Sequence, residues 1–564
     1  MSEGLTRQLL DAESRGSAYE HAIRQTPVSP LPLFQGDGTP VFIPSGQVSV
    51  RDETIGSVLP GLMSHCQRWE PTGARRVFTG KRVAVLFSGG PASGGHNVVA
   101  GLLDQLKGNE LWGVRQGPQG LLRGDLFPID LATRSSWVNT GGFDWLGSDR
   151  TKIKTPEQLA TVCEVVRRHQ LDGLVVIGGD DSNTNAAFLA DALQAVGCSV
   201  VGVPKTIDGD LQWGEDVPIS FGFDTATKIY SELVGNVLQD ARSSGKYWHI
   251  IKLMGRSASH VALEVALQTH PPITLISEEV AANGDSLSAL MEDLADQVVR
   301  RAQKGYGYGV MVLPEGVIES VGELKTLVAS LNHLMATHHD ELQGLSLTDR
   351  VTRMGEWLPS SQVTLLRELP DAIATQLLKD RDSHGNIQVS QIPTETLFVA
   401  WLTRILSQRT LPPGFVFQPI HHFFGYEGRC GAPTRFDAVY GYNLGCVAAA
   451  LVLNGATGVM ASVGQFQADW QVAGLPLVAM LSPEKRGSEV SWVIEKSLVS
   501  LGSPAFRYFA SRRQVWCDTD AFSSVGPRQW TGELAYEYPI SVALNHALPS
   551  LQWREPACVL PSRS

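Results

Sequence analysis

The chain reads as an α/β protein: two Rossmann-like lobes with parallel-sheet cores, a helical insert and an N-terminal extension. Three observations predict this. Short apolar runs rich in Val and Ile recur at residues 82–87, 173–177, 199–203, 248–253, 273–276 and 308–313, separated by helical lengths of sequence, the pattern of strands joined by crossover helices. The first run leads through Ser88-Gly89-Gly90-Pro91-Ala92-Ser93-Gly94-Gly95 into a helix-like stretch that ends near Gln105, which makes a strand, a glycine loop and a helix. At 564 residues the chain also exceeds one ordinary hydrophobic core, so more than one lobe is required.

Taken in order, residues 1–75 mix short helical patterns with proline punctuation (Pro27, Pro30, Pro32, Pro40, Pro44) and show no strand and glycine-loop signature. They read as an extension wrapping the first lobe. Residues 76–245 carry the first three strand runs and form that lobe, completed by part of 426–480. Residues 246–320 and 403–425 carry the next three runs and a strand-like stretch over 415–424, and form the second lobe. Between them the period changes: Leu324, Leu327, Val328, Leu331, Leu334 and Met335 fall at helical spacing, as do Leu366, Leu369, Ile373 and Leu377, which predicts an all-helical insert over 321–402. A further strand is expected over 457–463. Residues 481–564 form a C-terminal segment in which no chemistry is legible.

Composition narrows the function. With 43% hydrophobic and 18% charged residues the chain is globular rather than disordered. Lys and Arg total 46 against 57 Asp and Glu, a formal net charge of −11, which repels nucleic acid and anionic membrane in the absence of a basic patch. An anionic substrate must be drawn in by a few focused cations and a metal. The seven cysteines (Cys66, Cys163, Cys198, Cys430, Cys446, Cys517, Cys558) stand singly with no CxxC pair, as expected in a reducing compartment. The N-terminus carries charges throughout with no secretory pattern, and the longest apolar stretch, near 446–453, is too short to span a bilayer. A cytoplasmic location is expected.

Two acidic clusters dominate the motifs. Gly178-Gly179-Asp180-Asp181 and Pro204-Lys205-Thr206-Ile207-Asp208-Gly209-Asp210 each follow a buried-strand run, so both fall at the carboxyl ends of parallel strands, where one crevice can hold a magnesium ion and deprotonate a hydroxyl. An aspartate N-cap competes for the first cluster and a solvated acidic turn for the second. In the second, Asp208 and Asp210 are expected on one face of extended chain, with Ile207 packed inward. The glycine loop over 88–95 offers backbone N–H groups to a phosphate, but lacks the Gly-Lys-Ser/Thr of a Walker A loop, and a plain tight turn explains it equally well. Met254-Gly255-Arg256, Pro314-Glu315-Gly316 and Tyr426-Glu427-Gly428-Arg429 each place a charged group beside glycine after a strand run; singly, each also suits a surface ion pair. His421 and His422 lack a third ligand at metal spacing and are read as structural.

In this order, SGGPASGG, GSDR, GGDD, PKTIDGD, KY, MGR, PEG and GYEGR resemble the phosphofructokinase family, in its long pyrophosphate-dependent branch, over about residues 81–444. The resemblance implies transfer of a phosphoryl group from pyrophosphate to the 1-hydroxyl of fructose 6-phosphate with Mg2+. Asp180 falls on the metal ligand and Asp208 on the base, with Asp210 in support. Gly89, Gly90, Arg150 and Lys205 fall on the pyrophosphate site. Thr206, Ile207, Asp208, Met254, Gly255, Arg256, Glu315, Tyr426, Glu427, Gly428 and Arg429 fall on the sugar-phosphate site, and Asp181, Lys205 and Arg256 join Asp208 among the catalytic positions. Lys246 and Tyr247 fall where the family reaches across a subunit boundary, which implies a homodimer or larger homo-oligomer with shared active sites. ATP-dependent relatives carry glycine at the positions of Asp181 and Lys205; a carboxylate at Asp181 would repel the α-phosphate of a nucleotide and Lys205 would meet the two phosphates that remain, so the resemblance points to pyrophosphate rather than a nucleotide as donor. The alternatives within the family are an ATP-dependent enzyme and a non-catalytic regulatory subunit. Gly209 stands where members often carry asparagine.

Overall fold

The computed structural model describes residues 7, 18–342, 344–378, 392–486, 489–526 and 528–554. In chain order the strands are β1 (Thr39–Gln47), β2 (Gln67–Arg76), β3 (Arg82–Ser88), β4 (Glu110–Val114), β5 (Leu126–Pro128), β6 (Ser148–Asp149), β7 (Gly173–Gly178), β8 (Ser199–Pro204), β9 (Tyr247–Leu253), β10 (Ile273–Thr274), β11 (Gly309–Pro314), β12 (Gln418–Phe424), β13 (Val459–Gly464), β14 (Gln471–Pro476), β15 (Leu481–Arg486) and β16 (Glu489–Ile494). The chain divides into two compact units, the first built from 1–226, 427–497 and 528–564, the second from 227–426 and 498–527.

The first unit is centred on a sheet of order β1-β2-β14-β13-β8-β7-β3-β4-β5, with the short β6 paired to β3. Its middle, β13-β8-β7-β3-β4, is parallel, and antiparallel strands close both sides. Strands β7 and β13 are buried at every residue, as parallel strands covered on both faces must be. The chain leaves β3 for β4 on one side and returns through β7 and β8 on the other. That reversal opens a crevice between the carboxyl ends of β3 and β7, the place where open α/β sheets bind ligands.

Two helices of this unit, Gly95–Gln105 and Arg435–Leu453, touch backbone to backbone. A Cβ on Gly101 would stand 2.0 Å from the Tyr442 carbonyl oxygen, and one on Gly445 2.0 Å from that of Val98. Every residue of Arg435–Leu453 is buried, although this helix is long and apolar enough by composition to cross a membrane. The apolar stretch read as 446–453 in the sequence is therefore the end of a central core helix.

The second unit holds a parallel sheet of order β10-β11-β9-β12. Leu253 lies level with Pro314 and with Phe424, so β9, β11 and β12 end together. The helices of the expected insert are not a separate body: Leu324, Leu327, Leu331, Leu366, Leu369, Ile373 and Leu377 share one core with Trp248, Ile250, Met311 and Leu313 of the sheet. Part of the expected insert, 379–391, lies outside the described residues.

Three boundaries differ from the sequence reading. Residues 1–75 are not strandless, for β1 and most of β2 lie there and belong to the main sheet. Proline hid β1: Pro40 and Pro44 sit in this edge strand, where the register shifts twice and no outer ladder needs the N–H that proline lacks. The first lobe yields to the second at 226/227, inside helix Phe223–Ser244, rather than at 245. The C-terminal segment is divided between the units, its helix Pro504–Thr519 packing in the second, where the buried Arg301 bonds Asp520 at 2.7 Å.

Candidate active site

The crevice of the first unit is built from four strand ends. β3 delivers Gly89 and Gly90, β6 delivers Arg150, β7 delivers Asp180 and Asp181, and β8 delivers Lys205 to Asp210. Gly89 takes φ +88°, a conformation that favours glycine, and is pinned by its N–H to the Asp149 carbonyl at 2.8 Å and by the Ser148 hydroxyl on its own carbonyl at 2.9 Å. A Cβ on Gly89 would point at the Lys205 ammonium (3.6 Å) and the Ser182 hydroxyl (3.8 Å). One on Gly90 would meet the guanidinium groups of Arg429 (3.0 Å) and Arg150 (3.6 Å). The missing side chains thus leave a cradle walled by backbone and three cations, a fit for a small polyanion.

Lys205 is buried, and burial lowers its pKa to about 8; Asp208 opposes that, Arg429 adds to it, and Asp180 and Asp210 favour the charged form. The ammonium therefore sits among three carboxylates and a guanidinium. Asp180 opens helix Asp180–Leu193. Burial raises its pKa; the Lys496 ammonium works against the rise, and Asp210 and Asp181 add to it. The capping account of this cluster does not hold: Gly179 occupies the cap without a side-chain bond, and Asn183 turns back to the Gly178 and Gly179 carbonyls at 2.7 and 3.0 Å.

The second acidic cluster is not extended chain. After β8 the backbone bends, with Gly209 at φ +72°, so Asp208 and Asp210 do not share a strand face as the sequence suggested. The bend instead separates their surroundings. Asp210 is buried, accepts the Thr206 hydroxyl at 2.9 Å and lies 3.6 Å from Lys496, whereas Asp208 is partly exposed, its N–H donating to the Thr206 oxygen at 3.0 Å. Ile207 is buried, as expected. A partly exposed carboxylate beside a buried, anchored one is the arrangement a general base requires: reachable, and held in place.

Lys496 is the residue that sequence reading missed. It stands 3.7 Å from Asp180 and 3.6 Å from Asp210, and the next residue's N–H bonds the Asp210 carbonyl at 2.7 Å. It comes just after β16, about 290 residues from Asp210 and about 320 from Asp180, as a lone lysine in no motif. Lys152, which bonds Asp181 at 2.7 Å, was likewise passed over beside the GSDR motif. Arg429, grouped by resemblance with the sugar-phosphate residues, stands in the first unit against Gly90; Glu427 and Gly428 precede it in the same unit.

The second unit gathers the other residues at the common end of β9, β11 and β12. The Gly255 N–H donates to the buried Glu315 carboxylate at 3.0 Å, the Met254 N–H donates to the Phe424 carbonyl at 3.0 Å, and the Arg256 carbonyl lies where a Cβ on Gly316 would come within 2.1 Å. Arg256 and Tyr426 are exposed at the rim. Lys246 and Tyr247 stand at the opposite, amino end of β9, with the Lys246 ammonium 4.8 Å over the Tyr247 ring. His422 stacks on His249, with Nε2 2.9 Å from its Nδ1.

A polyanion cradle and carboxylates at a switch point in the first unit, and in the second a parallel sheet whose ends carry Arg256 and Glu315, define a phosphoryl-transfer protein. The phosphofructokinase family model matches residues 82–366, and the chain belongs to that family. It is 46% identical over 84% of its length to the pyrophosphate--fructose 6-phosphate 1-phosphotransferase of Treponema pallidum (84% of that protein), and 45% identical over 80% to that of Entamoeba histolytica (84% of that protein). To the beta subunit of the Solanum tuberosum enzyme it is 42% identical over 92% of each chain. Among solved structures, the pyrophosphate-dependent phosphofructokinase of Marinobacter aquaeolei superposes with a TM-score of 0.52 at 16% identity, covering 85% of this chain and all of that one, which shows the shared fold.

Proposed function

We propose that the chain catalyses reversible transfer of a phosphoryl group from pyrophosphate to the 1-hydroxyl of fructose 6-phosphate, giving fructose 1,6-bisphosphate and orthophosphate. The observation that carries this reading is Lys205, a buried ammonium facing the Gly89 cradle, where a donor of two phosphates and no nucleoside needs its charge met. The names of the relatives support it.

The geometry of each unit supports the following roles. Gly89, Gly90, Lys205, Arg150 and Arg429 hold pyrophosphate. Asp208 takes the proton of the sugar 1-hydroxyl as the oxygen bonds to phosphorus and the bridging P–O bond breaks, the electron pair leaving with orthophosphate. Thr206 and Asp210 hold Asp208's loop. Met254, Gly255, Arg256, Glu315 and Tyr426 of the second unit hold the sugar phosphate, Arg256 by its guanidinium and Glu315 through hydroxyls.

Among the described residues no three His, Cys, Asp or Glu side chains converge to cage a metal. That suits magnesium, which takes one or two carboxylates and completes its shell with phosphate oxygens and water. Asp180 would hold it, and when bound it neutralises charge on the phosphates. Lys246 and Tyr247 would complete the site of a second copy in a homo-oligomer, a state that light scattering on eluted protein reads directly.

The test is initial-rate phosphorylation of fructose 6-phosphate with magnesium, comparing pyrophosphate with ATP. Turnover with pyrophosphate and not with ATP is expected. Asp208→Asn keeps sugar-phosphate binding and loses turnover by roughly two to four orders of magnitude; near-normal turnover there removes Asp208 as the base.

A further inference from the structure

The donor reading above makes Asp181 the group that keeps a nucleotide's α-phosphate out, and the present inference rests on it. A bare carboxylate at that point would repel pyrophosphate too. Asp181 is not bare: the Lys152 ammonium donates to its Oδ1 at 2.7 Å, Asp181 being half exposed and Lys152 largely buried.

Lys152 is held there from both sides. Before it, the Thr151 N–H donates to the Asp149 carboxylate at 3.0 Å, and the other oxygen of that carboxylate accepts the Gln119 N–H at 3.1 Å. After it, the Ile153 N–H donates to the Asn185 side-chain oxygen at 3.2 Å, while the Asn185 amide nitrogen donates to the Ile153 carbonyl at 2.7 Å. Asn185 belongs to the helix that Asp180 and Asp181 open. The backbone of Lys152 is therefore fastened to that helix by bonds that do not involve Asp181. Lys152 is thereby held beside the helix N-terminus, an end that already favours anions, by contacts that survive loss of the carboxylate.

We propose that Lys152 is a donor-specificity residue: paired with Asp181 it screens the carboxylate from pyrophosphate, and once the carboxylate is removed it becomes a ligand for the extra phosphate of a nucleoside triphosphate. Exclusion of nucleotide then comes from an occupied cation as much as from repulsion.

The experiment is a cycle of Asp181→Gly, Lys152→Met and their combination, with Asp181→Ala as a second single variant against loss of the fold, and thermal midpoints recorded for each. The readout is kcat/KM for pyrophosphate and for ATP, both with magnesium. Asp181→Gly is expected to gain ATP turnover, and adding Lys152→Met should remove roughly ten- to a hundredfold of that gain, the worth of a hydrogen bond to a charged group. Lys152→Arg in place of Lys152→Met should keep it. Lys152→Met alone should gain no ATP turnover and lose roughly two- to fivefold in kcat/KM for pyrophosphate. Equal ATP turnover with and without Lys152 overturns the role of Lys152 and leaves that of Asp181 standing. No ATP turnover in either Asp181 variant overturns the donor reading of Asp181 and this inference with it.

Discussion

Gly445→Ala tests whether contact between two buried helices sets the donor loop. The new Cβ would stand 2.0 Å from the Val98 carbonyl oxygen and 3.0 Å from the Leu102 nitrogen, so the helices Gly95–Gln105 and Arg435–Leu453 must part by about 1 Å to reach a distance that Cβ atoms tolerate. Two effects oppose each other. Alanine favours the helix over glycine by about 1 kcal/mol, whereas over-packing a core costs about 1–3 kcal/mol. The clash should win, because the atoms met are backbone of an intact helix and have no rotamer to change. The displacement also reaches function: Gly95–Gln105 begins where the donor loop ends, and a group misplaced by about 1 Å can cost about a hundredfold in rate. Thermal unfolding and kcat/KM for pyrophosphate are the assays, with Gly46→Ala as control, since a Cβ there meets nothing within 4 Å. The variant should melt below the wild type and lose activity by up to about a hundredfold, with the control unchanged. Wild-type melting and activity in Gly445→Ala would refute the argument that this contact positions the loop.

Other outcomes follow from the charged cluster. Lys205, with its pKa lowered to about 8, loses its proton as pH rises through that value, so kcat/KM for pyrophosphate should fall on the alkaline side, and Lys205→Arg should push that limb to higher pH. Lys496→Met removes the cation that opposes the raised pKa of Asp180; turnover should drop and the acid limb of the rate profile move to higher pH, with Lys496→Arg restoring both. Asp437, buried beside Asp224 where burial raises its pKa to about 7, favours the protonated form when folded. It should add stability at pH 4 that is lost as pH rises through about 7, so the difference in melting temperature between wild type and Asp437→Asn should change across that window.

The sequence by itself determined the α/β class, eight of the sixteen described strands (β3 and β7–β13) and the residue types of the candidate site. These are local matters: near-continuous apolar runs mark buried parallel strands, and glycine next to aspartate after such a run marks a strand end open to a ligand. It missed β1, because prolines in an edge strand break the alternation a strand is read by, and it missed β2, β4–β6 and β14–β16 as well. It placed Asp208 and Asp210 on one face, because a period of two assumes extended chain and Gly209 turns it. Tertiary structure alone decided that Lys496 stands on Asp180 and Asp210, that Lys152 is fastened to the helix of Asp181, and that Arg429 meets Gly90. Coulomb attraction acts across space and is blind to chain separation, so a lysine about 290 to 320 residues from its partners leaves no spacing to read until the sheet has brought them together.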